Sequence, residues 1–143
     1  MFAEVSDSDL DVAALSAEVG HDAAGAVVSF AGVVRNHDTG QAVDSIEYSS
    51  HPAADEIIAT LAHETATREG VHAVGIKHRV GHLHVGDVAM VAVVAASHRK
   101  QAFGAVSDLV DEVKARLPVW KNQHYSDGRS EWTGLGDLEA GQA

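Results

Sequence analysis

The nine residues from Val88 to Ala96, VAMVAVVAA, carry neither a charge nor a hydrogen-bonding side chain. A run this apolar and β-branched reads as a strand that has to be covered. A second segment, Gly25 to Val34 (GAVVSFAGVV), is built of small and β-branched residues and reads as a buried strand. Helical patterns supply the cover. After Ser97, read as a cap, Phe103, Val106, Val110, Val113 and Leu117 recur at i, i+3, i+7, i+10 and i+14, which predicts a core stripe along one helix. Pro118 ends that helix. Pro52 opens another, with Ile57, Ile58, Leu61 and Thr65 inward and Gly70 as its stop. A shorter helix, capped by Asp9 or Asp11, runs to about Val19 with Leu10, Ala14 and Leu15 as its apolar side.

Further strands are expected at Phe2 to Val5, Val43 to Tyr48, Val71 to Val80 and Val119 to Tyr125, with a short last one near Trp132. Asn36 to Gly40 and Ser126 to Gly128 have turn chemistry, and Gly81 to Gly86 reads as a loop. The element order β-α-β-β-α-β-β-α-β-β is α+β with mixed pairing. A length of 143 residues suits a single domain spanning 1–143, with the tail 134–143 expected to fray.

The absence of cysteine excludes disulfides, thiolate zinc sites and a cysteine nucleophile. No apolar run approaches the roughly 20 residues that cross a membrane as a helix. The acidic start MFAEVSDSDLDV is unlike a signal peptide, so a cytoplasmic location is expected. A formal charge of -11 argues against broad nucleic-acid or anionic-membrane binding. The charge is uneven, however. Arg99 to Lys121 holds five basic residues (Arg99, Lys100, Lys114, Arg116, Lys121) against three acidic ones, while the rest of the chain holds five against 18. Such a zone is either a discrete anion pocket or a helix end dressed with solvated lysines.

On a helical wheel Lys114 falls roughly 80° from the centre of the stripe, at the border between core and water. Arg99 falls within the stripe but in the first turn, where an arginine either reaches an anion or snorkels. Lys121 follows the proline on the departing strand, with Trp120 beside it as a rigid wall. One geometry that fits places Lys114 and Lys121 at the rim of a single cleft.

Five segments carry a family resemblance: FAGVVRNHD (Phe30 to Asp38), IEYSSHP (Ile46 to Pro52), HRVGHLHVGD (His78 to Asp87), ASHRKQAF (Ala96 to Phe103) and KARLPVWK (Lys114 to Lys121). In this order and spacing, over about Gly25 to Trp132, the chain resembles the large, catalytic subunit of molybdopterin synthase. The resemblance implies an α/β hammerhead with an additional antiparallel β-sheet. It also implies a sulfurtransferase of molybdenum cofactor biosynthesis, which converts a cyclic pyranopterin monophosphate (precursor Z) into molybdopterin by installing two sulfurs as a dithiolene. In that family sulfur arrives as a thiocarboxylate on the C-terminal Gly-Gly of a small ubiquitin-like subunit whose tail enters a pocket. A central homodimer carries one small subunit at each end, forming a heterotetramer. No cofactor is permanently bound.

The lack of cysteine gains meaning here, because this chain cannot carry a persulfide and its sulfur must come from a partner. Two anions converging on one site need fixed cations. Carried over residue by residue, Lys114 is the main catalytic lysine, which holds the thiocarboxylate, stabilises charge at its carbonyl or attacks that carbonyl, and Lys121 assists at the pterin or in proton transfer. Arg35, His98 and Arg99 are implied in phosphate and pterin binding, with the neighbouring protomer as one source. Val33, Val34, Asn122 and Gln123 line the pocket, and Phe30 serves as core or pocket wall. The tail after Trp132 has no arginine, unlike some relatives.

Two rival readings stand beside this one. His82-x-His84 with Asp87 has the residue types of a divalent-metal site, although a lone H-x-H in a loop is weak evidence. Alternatively, the chain is a dimeric scaffold that binds a ubiquitin-like partner without chemistry. The apolar strand Val88 to Ala96 and the segment Val43 to Tyr48 suggest more sheet surface than one domain uses, and with the family habit this predicts a homodimer.

Overall fold

The computed structural model describes residues 1–38 and 40–133. The frayed tail expected at 134–143 lies outside the described residues. In chain order the elements are β1 (Phe2–Ser6), α1 (Val12–Ala17), β2 (Ala26–Val33), β3 (His37–Asp38), β4 (Gln41–Ser50), α2 (Ala54–Ala66), β5 (Val71–Arg79), β6 (Gly81–His84), β7 (Val88–Ala96), α3 (Arg99–Arg116), β8 (Val119–Tyr125) and β9 (Ser130–Thr133). Among the described residues, no helix is long and apolar enough to cross a membrane.

Two sheets divide these strands. The first has the order β1-β5-β7-β2, with β1 parallel to β5 and the other pairs antiparallel. The charge-free run Val88 to Ala96 is one of its two inner strands, and alternation explains why it can be apolar throughout. Met90, Ala92, Val94 and Ala96 meet α2 and α3 on one face, while Val91, Val93 and Ala95 meet Leu15 and Val19 on the other. The second sheet has the order β3-β4-β8-β9, with β6 also paired to β4. Its own small core gathers Val34, Val43, Ile46, Leu83, Ala89 and Tyr125. Mixed α+β architecture in one domain is therefore observed, with an antiparallel second sheet added to a helix-covered first one.

The structure corrects several expectations. Gly81 to Gly86 is not all loop: Gly81–His84 forms β6, whose alternation buries Leu83 against Ile46 across the ladder. The short β3 likewise converts part of the expected turn into a hairpin with β4. The segment Gly25 to Val34 is not buried on both faces. It forms an edge strand in which Ala26, Val28 and Phe30 turn inward while Val27 and Val33 remain 49% and 51% exposed. Surplus sheet surface therefore lies on β2, whereas β7 is covered and the inward side chains of β4 are buried.

Helix α3 is capped at His98 rather than Ser97, and the His98 N–H donates to Gln101 Oε1 at 3.1 Å. Its buried stripe is Ala102, Ala105, Val106, Leu109, Val110 and Val113. Phe103, expected in the core, is 61% exposed. The alanines let α3 sit close on the small side chains of β7, and that rotation turns position 103 to water. The helix stops as expected, with Leu117 extended before Pro118.

Candidate active site

Where the end of α3 meets the two sheets, a two-lobed cleft opens. The larger lobe, about 170 Å³, is walled by Phe30, Gly32, Val33 and Met90 of the first sheet, Val113 of α3, and Val119 of β8. Its polar groups are Tyr48, His78, Lys114 and Lys121. The smaller lobe, about 80 Å³, adds Val34, Arg35, His37 and Gln123. Val33, Tyr48 and Lys121 line both lobes, so the two form one continuous site.

Local structure explains each position. Lys114 is exposed in the last turn of α3, where a cation also complements the helix dipole. Pro118 redirects the chain into β8, and the period-two alternation of that strand sends Val119, Lys121 and Gln123 toward the cleft. Lys121 is only 6% exposed. It stands opposite Tyr48 in the β4–β8 ladder, so the two side chains are cross-strand neighbours on one face. The sequence placed Lys114 at the border of core and water. The structure makes Lys121 the buried member of the pair.

Tyr48 meets His78 edge-on, with ring centroids 5.1 Å apart and planes at 76°. Burial pushes the Tyr48 phenol up to about 12, so it stays protonated. Burial lowers the His78 imidazole to about 4, only partly opposed by its hydrogen bond to the Arg79 carbonyl at 2.8 Å. That imidazole is therefore neutral near pH 7. Neither residue was singled out from the sequence. The available signal was alternation: Tyr48 shares a strand face with Ile46, and His78 shares one with Val74 and Ile76.

The register shift between Gly32 and Val33 bends the end of β2. Val34 is held by hydrogen bonds from its N–H to Asp87 O and from Gly86 N–H to its carbonyl, at 2.9 and 2.8 Å. Arg35 follows, exposed at the smaller lobe. Val33, Val34, Arg35, Lys114, Lys121 and Gln123 are thus brought together. Asn122 is not, because alternation sends it to the other face of β8, opposite Glu47 and Trp132, where its Oδ1 is buried without a hydrogen-bond partner.

His98 and Arg99 are also apart from the cleft. They are exposed at the start of α3, and at about 1.5 Å per residue that helix separates Arg99 from Lys114 by about 22 Å. Gly70, at φ 79°, supports this corner. Its carbonyl accepts from Ser97 N–H at 2.8 Å, and the Gln101 amide packs where a Cβ at position 70 would stand. The basic zone of the sequence is therefore split three ways, since Arg116 is bound to Glu64 and Glu112 at 3.0 and 3.1 Å on the outer surface.

The metal reading finds no geometry. Asp87 Oδ2 accepts from His84 N–H at 2.9 Å and faces Arg79 at 3.6 Å, so it caps a turn. The His82 ring packs on His84 with centroids 4.8 Å apart. Among the described residues, no group of three or more histidines and carboxylates is arranged to hold a metal ion.

Comparison with known proteins adds an independent line. The family model described as MoaE protein matches residues 5–116, a span that includes Lys114 and stops before Lys121. The molybdopterin synthase catalytic subunit of Nostoc sp. is 36% identical over 117 residues, covering 80% of this chain and 71% of the relative. That of Dictyostelium discoideum is 31% identical over 138 residues, covering 94% and 87%. The crystal structure of molybdopterin synthase from Staphylococcus aureus superposes with a TM-score of 0.84 at 29% identity, over 92% of this chain and 96% of that one. By sequence over most of its length and by the shape of both sheets, the chain belongs to the MoaE protein family.

Proposed function

We propose that this chain is the catalytic subunit of a molybdopterin synthase, a sulfurtransferase that converts a cyclic pyranopterin monophosphate into the dithiolene pterin. The observation that carries the reading is the convergence of Lys114 and Lys121, from separate elements, on one cleft whose walls are otherwise largely apolar. A partly dry pocket with fixed ammonium groups stabilises developing negative charge far better than water does. Lys114, exposed at the rim, meets the incoming C-terminal thiocarboxylate of a small ubiquitin-like subunit and stabilises charge at its carbonyl as sulfur leaves. Lys121, deeper and common to both lobes, assists at the pterin or in proton transfer. Arg35 and Gln123 extend this contact into the smaller lobe.

The phosphate is held by Arg35 together with His98 and Arg99 of a second copy of the chain. Two features support this dimeric arrangement. His98 and Arg99 lie about 22 Å along α3 from Lys114 in their own protomer, too far for a shared ligand. The edge strand β2 also leaves Val27 and Val33 half exposed, an apolar face that a second copy would cover. Small subunits at both ends complete a heterotetramer. No residue of this chain needs a permanent cofactor for these roles.

The test is a single turnover with purified chain, thiocarboxylated small subunit and the cyclic monophosphate. The expected result is dithiolene pterin formed in proportion to active sites. Tight binding of the small subunit with no product would instead identify a non-catalytic scaffold.

A further inference from the structure

His78 occupies what its strand makes a core position. β5 sends Val74, Ile76 and His78 to the helix-covered face, and the first two are fully buried. At the third position that face opens into the larger lobe. An apolar side chain would fill this place at less cost than an imidazole, so packing alone does not account for the residue.

The ring has one defined tautomer. Its Nδ1 lies 2.8 Å from the Arg79 carbonyl oxygen, which can only accept, so Nδ1 carries the proton and Nε2 is bare. Among the described residues, Nδ1 to Arg79 is the ring's one hydrogen bond. The other titratable groups on the lobe are the ammoniums of Lys114 and Lys121, which only donate, and the protonated Tyr48 phenol. The lobe thus holds donors suited to anions and a single acceptor-only nitrogen.

We propose that the bare Nε2 of His78 accepts a hydrogen bond from an N–H of the ligand in the larger lobe, making His78 a binding and positioning residue of the site; this rests on the function proposed above. Two ligands bring N–H groups to the lobe, namely the pterin ring and the backbone amides of the inserted Gly-Gly tail. Among the titratable side chains of the lobe, only the His78 Nε2 and the Tyr48 hydroxyl oxygen can accept such an N–H, and leaving it unpaired weakens binding. The nitrogen acts as an acceptor and not as a base, because burial holds it neutral. Lys114 of α3 and Lys121 of β8 share the lobe with it, and the Tyr48 ring packs against it edge-on. Met90 and Val5, its ladder partners, bring no charge. Asp55 of α2 is engaged with Val5 N–H at 2.9 Å, and the Arg79 guanidinium with Asp9 at 3.0 Å.

The experiment compares wild type, His78→Leu and His78→Gln by calorimetry. One arm titrates the cyclic pyranopterin monophosphate, the other the carboxylate form of the small subunit with its Gly-Gly tail. His78→Leu is expected to lose at least about fivefold in affinity for one ligand and less than about twofold for the other. The ligand that loses affinity is the source of the N–H. His78→Gln, which carries an acceptor oxygen at similar reach, recovers most of the loss, and the wild-type to Leu ratio stays constant from pH 8 to pH 6. Leu affinities within twofold of wild type for both ligands would overturn the proposal, as would Gln behaving like Leu or a ratio that changes between pH 8 and pH 6. Wild-type protein that bound neither ligand would overturn the functional reading with it, so the two failures are distinguishable.

Discussion

The two ends of α3 carry the basic residues of one sequence zone into different surroundings. At the C-terminal end, Lys114 and Lys121 meet across Pro118 in a cleft walled by Phe30, Met90, Val113 and Tyr48. At the N-terminal end, His98, Arg99 and Lys100 stand exposed over a backbone corner made by Gly70 and Gln101. A charge worth little in water gains strength where the cleft excludes it. On the proposed function, the C-terminal cations serve the chemistry within one chain, while the N-terminal ones are completed by a second copy. Sequence proximity hides this difference, because 18 helical residues put the two ends far apart.

The largest effect is expected at the C-terminal end. Lys114→Ala should lower the single-turnover rate of dithiolene formation by about 10²–10³-fold, the scale of losing a preorganised stabiliser of developing charge. Lys114→Arg should lose nearly as much, since a planar guanidinium does not place its charge where the compact ammonium stood. Lys121→Ala should be impaired less completely. A Lys114→Arg enzyme that kept most of the wild-type rate would show that positive charge alone, without the placement of the ammonium, suffices.

The N-terminal end should show its effect in binding. Arg99→Ala is expected to weaken the cyclic monophosphate by roughly 1.5–3 kcal/mol, the range for hydrogen bonds to charged groups, with small-subunit affinity unchanged. Mixed dimers sharpen the comparison. In a dimer of one Lys114→Ala and one Arg99→Ala chain, sites built across copies leave one site wholly intact and one doubly damaged. Activity should then recover toward half of wild type. Sites built within one chain would leave both damaged and recover nothing. Light scattering that showed a monomer at micromolar concentration would remove the basis for this test.

Much of this contrast was legible in the sequence, and the rest was hidden for physical reasons. The long α3 pattern, its stop at Pro118 and the strands on either side follow from local periodicity. Lys114 and Lys121 could be placed at one rim because a helix end and a strand start are close by construction. β6 was missed because GHLH offers only one buried side chain, Leu83, and its pairing with β4 depends on residues far away in sequence. Asn122 was placed in the pocket as the direct neighbour of Lys121, although alternation turns its side chain to the opposite face. His78 was passed over because a histidine amid apolar residues does not announce which part of a core face lies open.

A smaller effect concerns that histidine and the folding of the cleft end. Its pKa falls from 6.5 to about 4 on burial. Below pH 6.5 the unfolded chain takes up a proton that the folded chain refuses, so stability falls with pH across the window from 6.5 to about 4. At about 1.4 kcal/mol per pH unit, His78 should account for about 2 kcal/mol of loss between pH 6.5 and pH 5. His78→Leu should flatten that part of the curve when melting is followed against pH. An unchanged slope would mean that the ring is hydrated and charged in the folded protein.

The smallest expected effect returns to the N-terminal half of α3. The spacing of large apolar residues put Phe103 in the core, and burial there would make Phe103→Ala cost about 3–5 kcal/mol. The observed stripe instead runs through Ala102, Ala105, Val106 and Leu109, with Phe103 61% exposed. On that geometry Phe103→Ala should change the stability of the chain by no more than about 0.5 kcal/mol. Leu109→Ala, on the buried face, should cost about 2–5 kcal/mol. Urea unfolding of both variants at equal protein concentration measures the pair directly. A large loss at Phe103 with a small one at Leu109 would mean that α3 is rotated from the position described here. Its last turn would then aim Lys114 away from Lys121, and the cleft that distinguishes the two ends of the helix would not exist.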